Sequence, residues 1–500
     1  MASDVLVGID LGTTILKAAA FDGATGRVLA QASQRLNVSA TPDGRREQDP
    51  KAIDRALVAV LRNVRETIGA RQWQRVAGLG LAAQGGSAVI ADRDTGKALS
   101  TMILWNDARA IAEGAKVAAM KPPRFWRSFS WRDSPGAGLG RMRWMQKHWP
   151  QLINDRTIYA GAGEYVFFKL TGQWRQDAGT ALQIGCYNVP KNRLDQRPLD
   201  LVNTDVSWVA PMRQGHEQSK LSPQASRRFG LPSDTIVVGP YMDHEAGYLS
   251  ACGASRRPMQ CSLGTAWVGN LVMPPSAKWS SPFQLVLPSP INKGYMVCQP
   301  LLTGNVTWDW ALQTFVDADH DRALAGVRKI FEQSLLPRDG LVALPWLARP
   351  NPWSAGLLGG GAILGADPHT SREDMLRALA AGMAYEMARV FAQVRSAGVD
   401  ALVLGGGASK GAFFRQLLAA LFAPLPVLGI EDEDLSGVRG VLWPLSRQAA
   451  ATRTIKARPP DRATCRRIAD GYQRYLGAFE RLYAHVLVAG PLAIEKGRGS

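Results

Sequence analysis

Apolar residues along this chain come in two kinds of segment, short runs rich in branched side chains and longer stretches at helical spacing. Val5-Leu-Val-Gly-Ile9 is a short run, Asp10-Leu-Gly-Thr-Thr14 is a polar, glycine-bearing break, and Ile15 to Phe21 is apolar again. That order predicts strand, tight turn, strand. A third strand is expected around Val28 to Gln34. Asp49-Pro50 then supplies an N-cap and a first-turn proline for a helix. Its apolar positions, Ile53, Leu57, Val60, Leu61, Val64 and Ile68, form one face that needs a sheet to pack on.

A similar order returns in the second half, where Met259 to Asn270 is an apolar stretch broken by Gly264-Thr265. Thr370-Ser-Arg-Glu373 reads as a capping box for a long helix with Leu376, Leu379, Met383, Met387, Val390 and Phe391 on its buried side. The strand Ala401 to Leu404 runs into Gly405-Gly-Gly407, after which Ser409 can cap a helix carrying Phe413, Leu417, Leu418 and Leu421. Asp461 to Leu487 has helical periodicity through Ile468, Tyr472, Leu476, Phe479 and Tyr483. The repeat suggests two α/β domains, 1–250 and 251–500, with a hinge expected among the small residues of Gly247 to Gly253.

Composition narrows the class. With 46% hydrophobic and 20% charged residues the chain is that of a soluble globular protein. No apolar run reaches the roughly 18 residues of a membrane span, and Met1 to Asp10 lacks the regions of a signal peptide, so no membrane partner and a cytoplasmic location are expected. The five cysteines, Cys186, Cys252, Cys261, Cys298 and Cys465, have no CxxC pair and read as reduced and structural. The formal charge of +17 raises nucleic acid as a partner, but the basic residues come singly or in pairs without an aromatic-interleaved stripe. A surface that attracts anionic nucleotides is the simpler reading, and no nucleic acid is expected.

Three turns combine glycine with backbone donors: Asp10-x-Gly12-Thr13-Thr14, Gly264-Thr265 and Gly405-Gly406-Gly407. Glycine lets the main chain approach a ligand, and exposed N–H groups favour phosphate oxygens. One such turn alone is usually only a hairpin; three in order point to a nucleotide. No GxxxxGK[ST] occurs, which excludes a P-loop, and Gly78-Leu-Gly80 lacks the following helix of a dinucleotide fingerprint. Asp10, ending the first strand beside a phosphate-type turn, suits a Mg²⁺ ion held through water, or else simply binds the turn amides. Asp243, after the apolar Val237 to Met242, is either a helix cap or a general base that takes the proton of an attacking hydroxyl. His244 reads as structural or substrate-orienting, and Trp105 as either core or pocket.

The ordered set runs from Gly8-Ile-Asp-Leu-Gly-Thr-Thr14 through Glu47-Gln-Asp-Pro50, Leu104-Trp-Asn-Asp-Ala-Arg109 and Tyr165 to Gly172. It continues through Gly239 to Gly247, Ser262-Leu-Gly-Thr265, Gly361 to Gly365 with His369-Thr370, and Gly405 to Ser409. This set resembles the FGGY carbohydrate kinases, which include glycerol, xylulose, ribulose and erythritol kinases. The resemblance implies two ribonuclease-H-like (actin-like ATPase) domains flanking a nucleotide cleft. It implies Mg²⁺ and ATP as cofactors, with Asp10 as the metal-associated carboxylate and Gly12, Thr13 and Thr14 on the phosphate turn. Asp243 falls on the catalytic base, Gly264 and Thr265 on a second phosphate loop, and Gly304, Gly405 and Gly406 along the nucleotide. Gln84, Gly85, Trp105 and Asn106 fall in the sugar pocket, and a homodimer is implied.

Where the family often places gripping side chains after the glutamine, this chain has Gly85-Gly86. The other departures are Ala381-Gly382 and Gly440-Val-Leu. The first predicts a roomier pocket and a four- or five-carbon polyol or ketose, pentuloses ahead, as small-molecule substrate. An actin-like ATP-binding regulator or sugar sensor without turnover is the alternative, against which the retained Asp243 argues.

Overall fold

The hairpin expected at the start of the chain forms: strands Val5–Leu11 and Ile15–Asp22 pair antiparallel, and Val28–Arg35 adds a third strand beside them. A computed structural model describes residues 4–264, 266–276, 284–301, 303–346, 361–392 and 397–483. The chain divides into two compact units. One comprises Met1–Gly253, Leu285–Met296 and Asp434–Thr452; the other comprises Ala254–Gln284, Val297–Glu433 and Arg453–Ser500.

In the first unit, Val5–Leu11 pairs on its other edge with Val76–Ala83 in parallel, and Val76–Ala83 pairs in parallel with Ile236–Met242. The helix Pro50–Ile68 starts where the sequence places it, with Asp49 Oδ1 accepting from Lys51 N at 2.9 Å and proline in the first turn. Ile53, Leu57, Val60, Leu61 and Val64 are buried against Val7, Ile9 and Leu79 of the sheet, each such side chain stabilising by about 1.5–3 kcal/mol. A second apolar cluster gathers Leu6, Ala19, Ala246, Leu249, Val438 and Val441, joining the helix Asp243–Cys252 and the short helix Ser436–Gly440. Contact there is so close that a Cβ on Gly8 would overlap the Val438 carbonyl, which is why strand residue 8 has no side chain. Residues 247–252, where the small side chains suggested a hinge, belong to this helix.

The second unit repeats the plan. Pro258–Leu263 pairs antiparallel with Trp267–Met273 and parallel with Ala401–Gly405, which pairs parallel with Val427–Ile430. From the third antiparallel strand inward, the strand order of the first unit is Val28–Arg35, Ile15–Asp22, Val5–Leu11, Val76–Ala83, Ile236–Met242. That of the second is Tyr295–Pro300, which belongs to this unit from Val297 on, then Trp267–Met273, Pro258–Leu263, Ala401–Gly405 and Val427–Ile430. The faint sequence repeat is thus a repeat of topology.

Two caps differ from expectation. The helix Arg372–Val390 is capped by Ser371 with Asp374, one residue later than the Thr370–Glu373 box, because the Ser371 hydroxyl accepts from Asp374 N at 3.0 Å. Ser409 caps nothing: it lies in a turn before Gly411, the N-cap of Ala412–Leu421, and its Oγ donates to Glu433 Oε2 at 2.9 Å. The last helix spans Arg462–Tyr483, and the rest of the stretch to Leu487 lies outside the described residues.

Candidate functional site

Parallel strands bring their C-terminal ends to one edge, and in the first unit three neighbours end together. Asp10 is opposite Ala82 in the parallel ladder, and Ala82 is opposite Tyr241, so Asp10, Gln84 and Asp243 emerge from adjacent strand ends. Asp10 is partly buried and Asp243 exposed. Burial first, and the negative charge of Asp243 second, push the Asp10 carboxyl up to about 6, while Lys17 pulls it down. Lys17 stands directly across the antiparallel ladder from Asp10 and donates from Nζ to the Asp434 carbonyl at 3.0 Å. Two carboxylates close enough to repel, with one lysine beside them, form a place where a divalent cation would relieve the repulsion.

Asp243 is the first residue of the helix Asp243–Cys252, and its Oδ1 accepts from His244 N at 2.9 Å. The corner that presents it is fixed by Glu245, whose Oε2 accepts from Met242 N at 3.0 Å. Glu245 is a buried acid the sequence did not single out, as are Glu164 and Asp177. Burial raises Glu245 well above the usual carboxylate range, holds Glu164 up at about 8 and raises Asp177. Asp177 nevertheless caps a helix, accepting from Thr180 N at 2.8 Å. No group of three or more metal-ligating side chains exists among the described residues, so a cation here would take most of its ligands from water and phosphate, as Mg²⁺ commonly does.

The phosphate-type turn and the expected sugar residues form one hydrogen-bonded set. Thr13 Oγ1 donates to Gln84 Oε1 at 2.9 Å, Ser87 Oγ donates to the same oxygen at 3.2 Å, and Gln84 Nε2 donates to Gln48 Oε1 at 3.2 Å. Trp105, partly exposed, donates from Nε1 to Thr13 Oγ1 at 3.2 Å, which joins it to this set. Gly12 closes the hairpin, its N–H donating to the Ile15 carbonyl at 3.0 Å, and leaves Thr14 exposed. Asn106 Oδ1 is buried with no partner among the described residues. Asp107 is fully used, accepting from Arg46 N at 2.6 Å and from the Arg109 side chain at 2.8 and 2.7 Å.

One residue of this region is invisible in the sequence. A Cβ on Gly85 would lie 2.6 Å from Gln183 Nε2 and 3.1 Å from Met242 Sδ, and a Cβ on Gly86, whose φ is +75°, would overlap Gln183 Oε1. The space that Gly85-Gly86 leaves is therefore filled by Gln183. The expected roomier pocket is corrected at that point, because a side chain about one hundred residues downstream occupies the gap.

In the second unit the remaining expected residues meet at the ends of two paired parallel strands. Ser262 is opposite Gly405, and a Cβ on Gly406, at φ +91°, would sit 2.4 Å from the Leu263 carbonyl carbon and 2.7 Å from Gly264 N. Gly304 is the N-cap of Asn305–Phe315, and Asn305 N donates to the Gly264 carbonyl at 3.0 Å. Asn305, which sequence reasoning passed over, accepts from Trp267 Nε1 at 3.0 Å and holds this turn. Gly264, Gly304, Gly405 and Gly406 thus come together at one turn, where the helix Asn305–Phe315 begins without a side-chain cap. Thr265 lies outside the described residues.

Residues 5–250 match the N-terminal domain, and residues 259–442 the C-terminal domain, of the FGGY family of carbohydrate kinases. The chain is 25% identical over 431 residues to a xylulose kinase of Staphylococcus epidermidis, covering 84% of each, and 24% identical over 441 residues to the xylulose kinase of Bacillus subtilis, covering 86% of this chain and 85% of that one. Among solved structures, xylulose kinase from Rhodospirillum rubrum superposes with a TM-score of 0.84 at 20% identity, covering 96% of this chain and 99% of that one. Gluconate kinase from Lactobacillus acidophilus gives 0.81 at 20% identity, covering 96% and 98%. With both of the family's domains matched across most of its length, this chain belongs to the FGGY family of carbohydrate kinases and has the two-domain actin-like ATPase fold.

Proposed function

We propose that this carbohydrate kinase transfers the γ-phosphoryl group of ATP to a hydroxyl of a pentulose or of a polyol of four or five carbons, with Asp243 as general base. The observation that carries the reading is the pairing of an exposed Asp243, presented at a helix start, with the partly buried Asp10 at the neighbouring strand ends. A carboxylate that stays accessible and, among the described residues, accepts its own neighbour's N–H alone is free to take a hydroxyl proton. A pure ATP clamp would need no such group. The relatives named xylulose kinase support a pentulose.

The residues present fit a bound cation: Asp10, raised by burial and by Asp243, gains from a positive charge, and such an ion would supply charge neutralisation to the triphosphate. Thr13 and Thr14 are suited to the phosphates by the hairpin turn. Gly264, Thr265, Gly304, Gly405 and Gly406 are assigned to the nucleotide, the last two by their small size against a flat base. Gln84, Trp105 and Asn106 are assigned to the substrate, on the hydrogen-bonded set around Thr13. The domain division at about residue 250, a cytoplasmic location and a homodimer belong to the same proposal; the composition supports the second and the family resemblance the third. The test is ADP release measured against a panel of polyols and ketoses of three to six carbons, with and without Mg²⁺. A sharp maximum at one four- or five-carbon compound supports the reading, since a site built to bond hydroxyls rejects analogues lacking them. A maximum at glycerol, or at a six-carbon sugar alone, refutes the substrate class.

A further inference from the structure

Gln183 sits on the helix Ala178–Ile184, between Leu182 and Ile184, both buried, yet is itself partly exposed. Its amide fills the room over Gly85 and Gly86 and donates from Nε2 to Met242 Sδ at 3.3 Å, one residue before Asp243. A thioether is a weak acceptor, so this bond leaves the amide available for a better partner. The helix behind it is held at both ends. Asp177 accepts from Thr180 N and Oγ1 at 2.8 and 3.1 Å, and Gly185 closes the C-terminus at φ +104°. A Cβ on Gly136 would overlap the Gln183 carbonyl, so a neighbouring loop also presses on the backbone that carries this side chain. The amide is thus aimed by a rigid mount at the ground between Gly85-Gly86 and Met242.

We infer that Gln183 is a specificity-determining residue of the substrate pocket, supplying from another helix the grip that residues 85 and 86 do not provide. The inference rests on the proposed function, in which Asp243 faces the hydroxyl to be phosphorylated. An amide offers one acceptor and two donors and no charge, which matches neighbouring hydroxyl or keto groups of a neutral substrate. Gln84 itself is committed to Thr13, Ser87 and Gln48, which leaves Gln183 as the adaptable amide at this spot.

The experiment compares the parent with Gln183→Leu, of similar volume, and Gln183→Glu, of nearly identical shape, on the best substrate of the panel and on its mono-deoxy analogues. Thermal midpoints report that each variant is folded. The expected result is a rise in KM of about tenfold or more for the full substrate in both variants, with a smaller change in kcat. For one deoxy analogue, the parent's preference for the full substrate should collapse in Gln183→Leu, which a purely structural role would not produce. If KM and that preference stay within about twofold of the parent in both folded variants, the inference is overturned. Should the parent itself show no substrate-dependent ADP release, the proposed function fails first and the inference with it, a result distinct from an active parent whose variants are unchanged.

Discussion

Arg132 offers the sharpest test of the energetics. It is 7% exposed, its Nε is shut off from solvent with no partner, and among the described residues its one hydrogen bond is from its backbone N–H to Ser130 Oγ. The adjacent Asp133 is taken by Arg127. Burial alone lowers the guanidinium to about 10. That depression from the ordinary value corresponds to about 3 kcal/mol against keeping the charge in the fold. For a base whose folded pKa lies below its unfolded one, the penalty is present at every pH where both states are charged, and it is relieved only as pH rises toward and past about 10. Methionine keeps an unbranched stem of similar length and removes the charge. Arg132→Met is therefore expected to stabilise by about 1–3 kcal/mol, the lower figure allowing for lost stem packing. Urea unfolding of parent and variant at several pH values between about 5 and 9 should show the same gain throughout. Arg132→Lys keeps a more strongly hydrated charge and should gain less. A variant less stable than the parent by about 1 kcal/mol or more would refute the reasoning. A gain in stability joined to a loss of turnover would mean that the charge is retained for the reaction.

Asp243→Asn should keep nucleotide binding and lose about 10²- to 10⁴-fold in kcat, and turnover within a few-fold of the parent would remove Asp243 as the base. Asp10 holds its proton more tightly folded, near 6, than unfolded, so its penalty is absent below the unfolded value, grows as pH rises toward about 6 and is complete above it. Asp10→Asn, measured without nucleotide or metal, should therefore be increasingly more stable than the parent on going from about pH 4 to 7, by about 1–3 kcal/mol after discounting for partial exposure; a difference flat across that range would contradict the burial argument. Gly8→Ala should destabilise by about 3 kcal/mol, since its methyl group would collide with the Val438 carbonyl, and an unchanged urea midpoint would show that the contact yields freely.

The sequence by itself determined what depends on near neighbours. Alternation and branching announced the hairpin of Val5–Leu11 and Ile15–Asp22, and Asp49-Pro50 announced the start of the helix Pro50–Ile68, because a cap, a fixed φ and a 3.6-residue apolar spacing all act within one or two turns. Even so, local reading misplaced the cap of Arg372–Val390 by one residue, since Thr370 and Ser371 are chemically alike and only the turn at Asp367 decides which hydroxyl faces the first turn. The family motifs carried the glycine turns, Asp10, Gln84 and Asp243 as separate marks. Tertiary structure decided their company. Asp10 repels Asp243 only because parallel pairing through Val76–Ala83 sets three strand ends side by side, and Gln183 meets Gly85-Gly86 only because a capped helix is packed there. Such contacts join residues far apart in the chain, and no spacing or periodicity encodes them; they follow from which strands pair, in what register, and which buried faces must be covered.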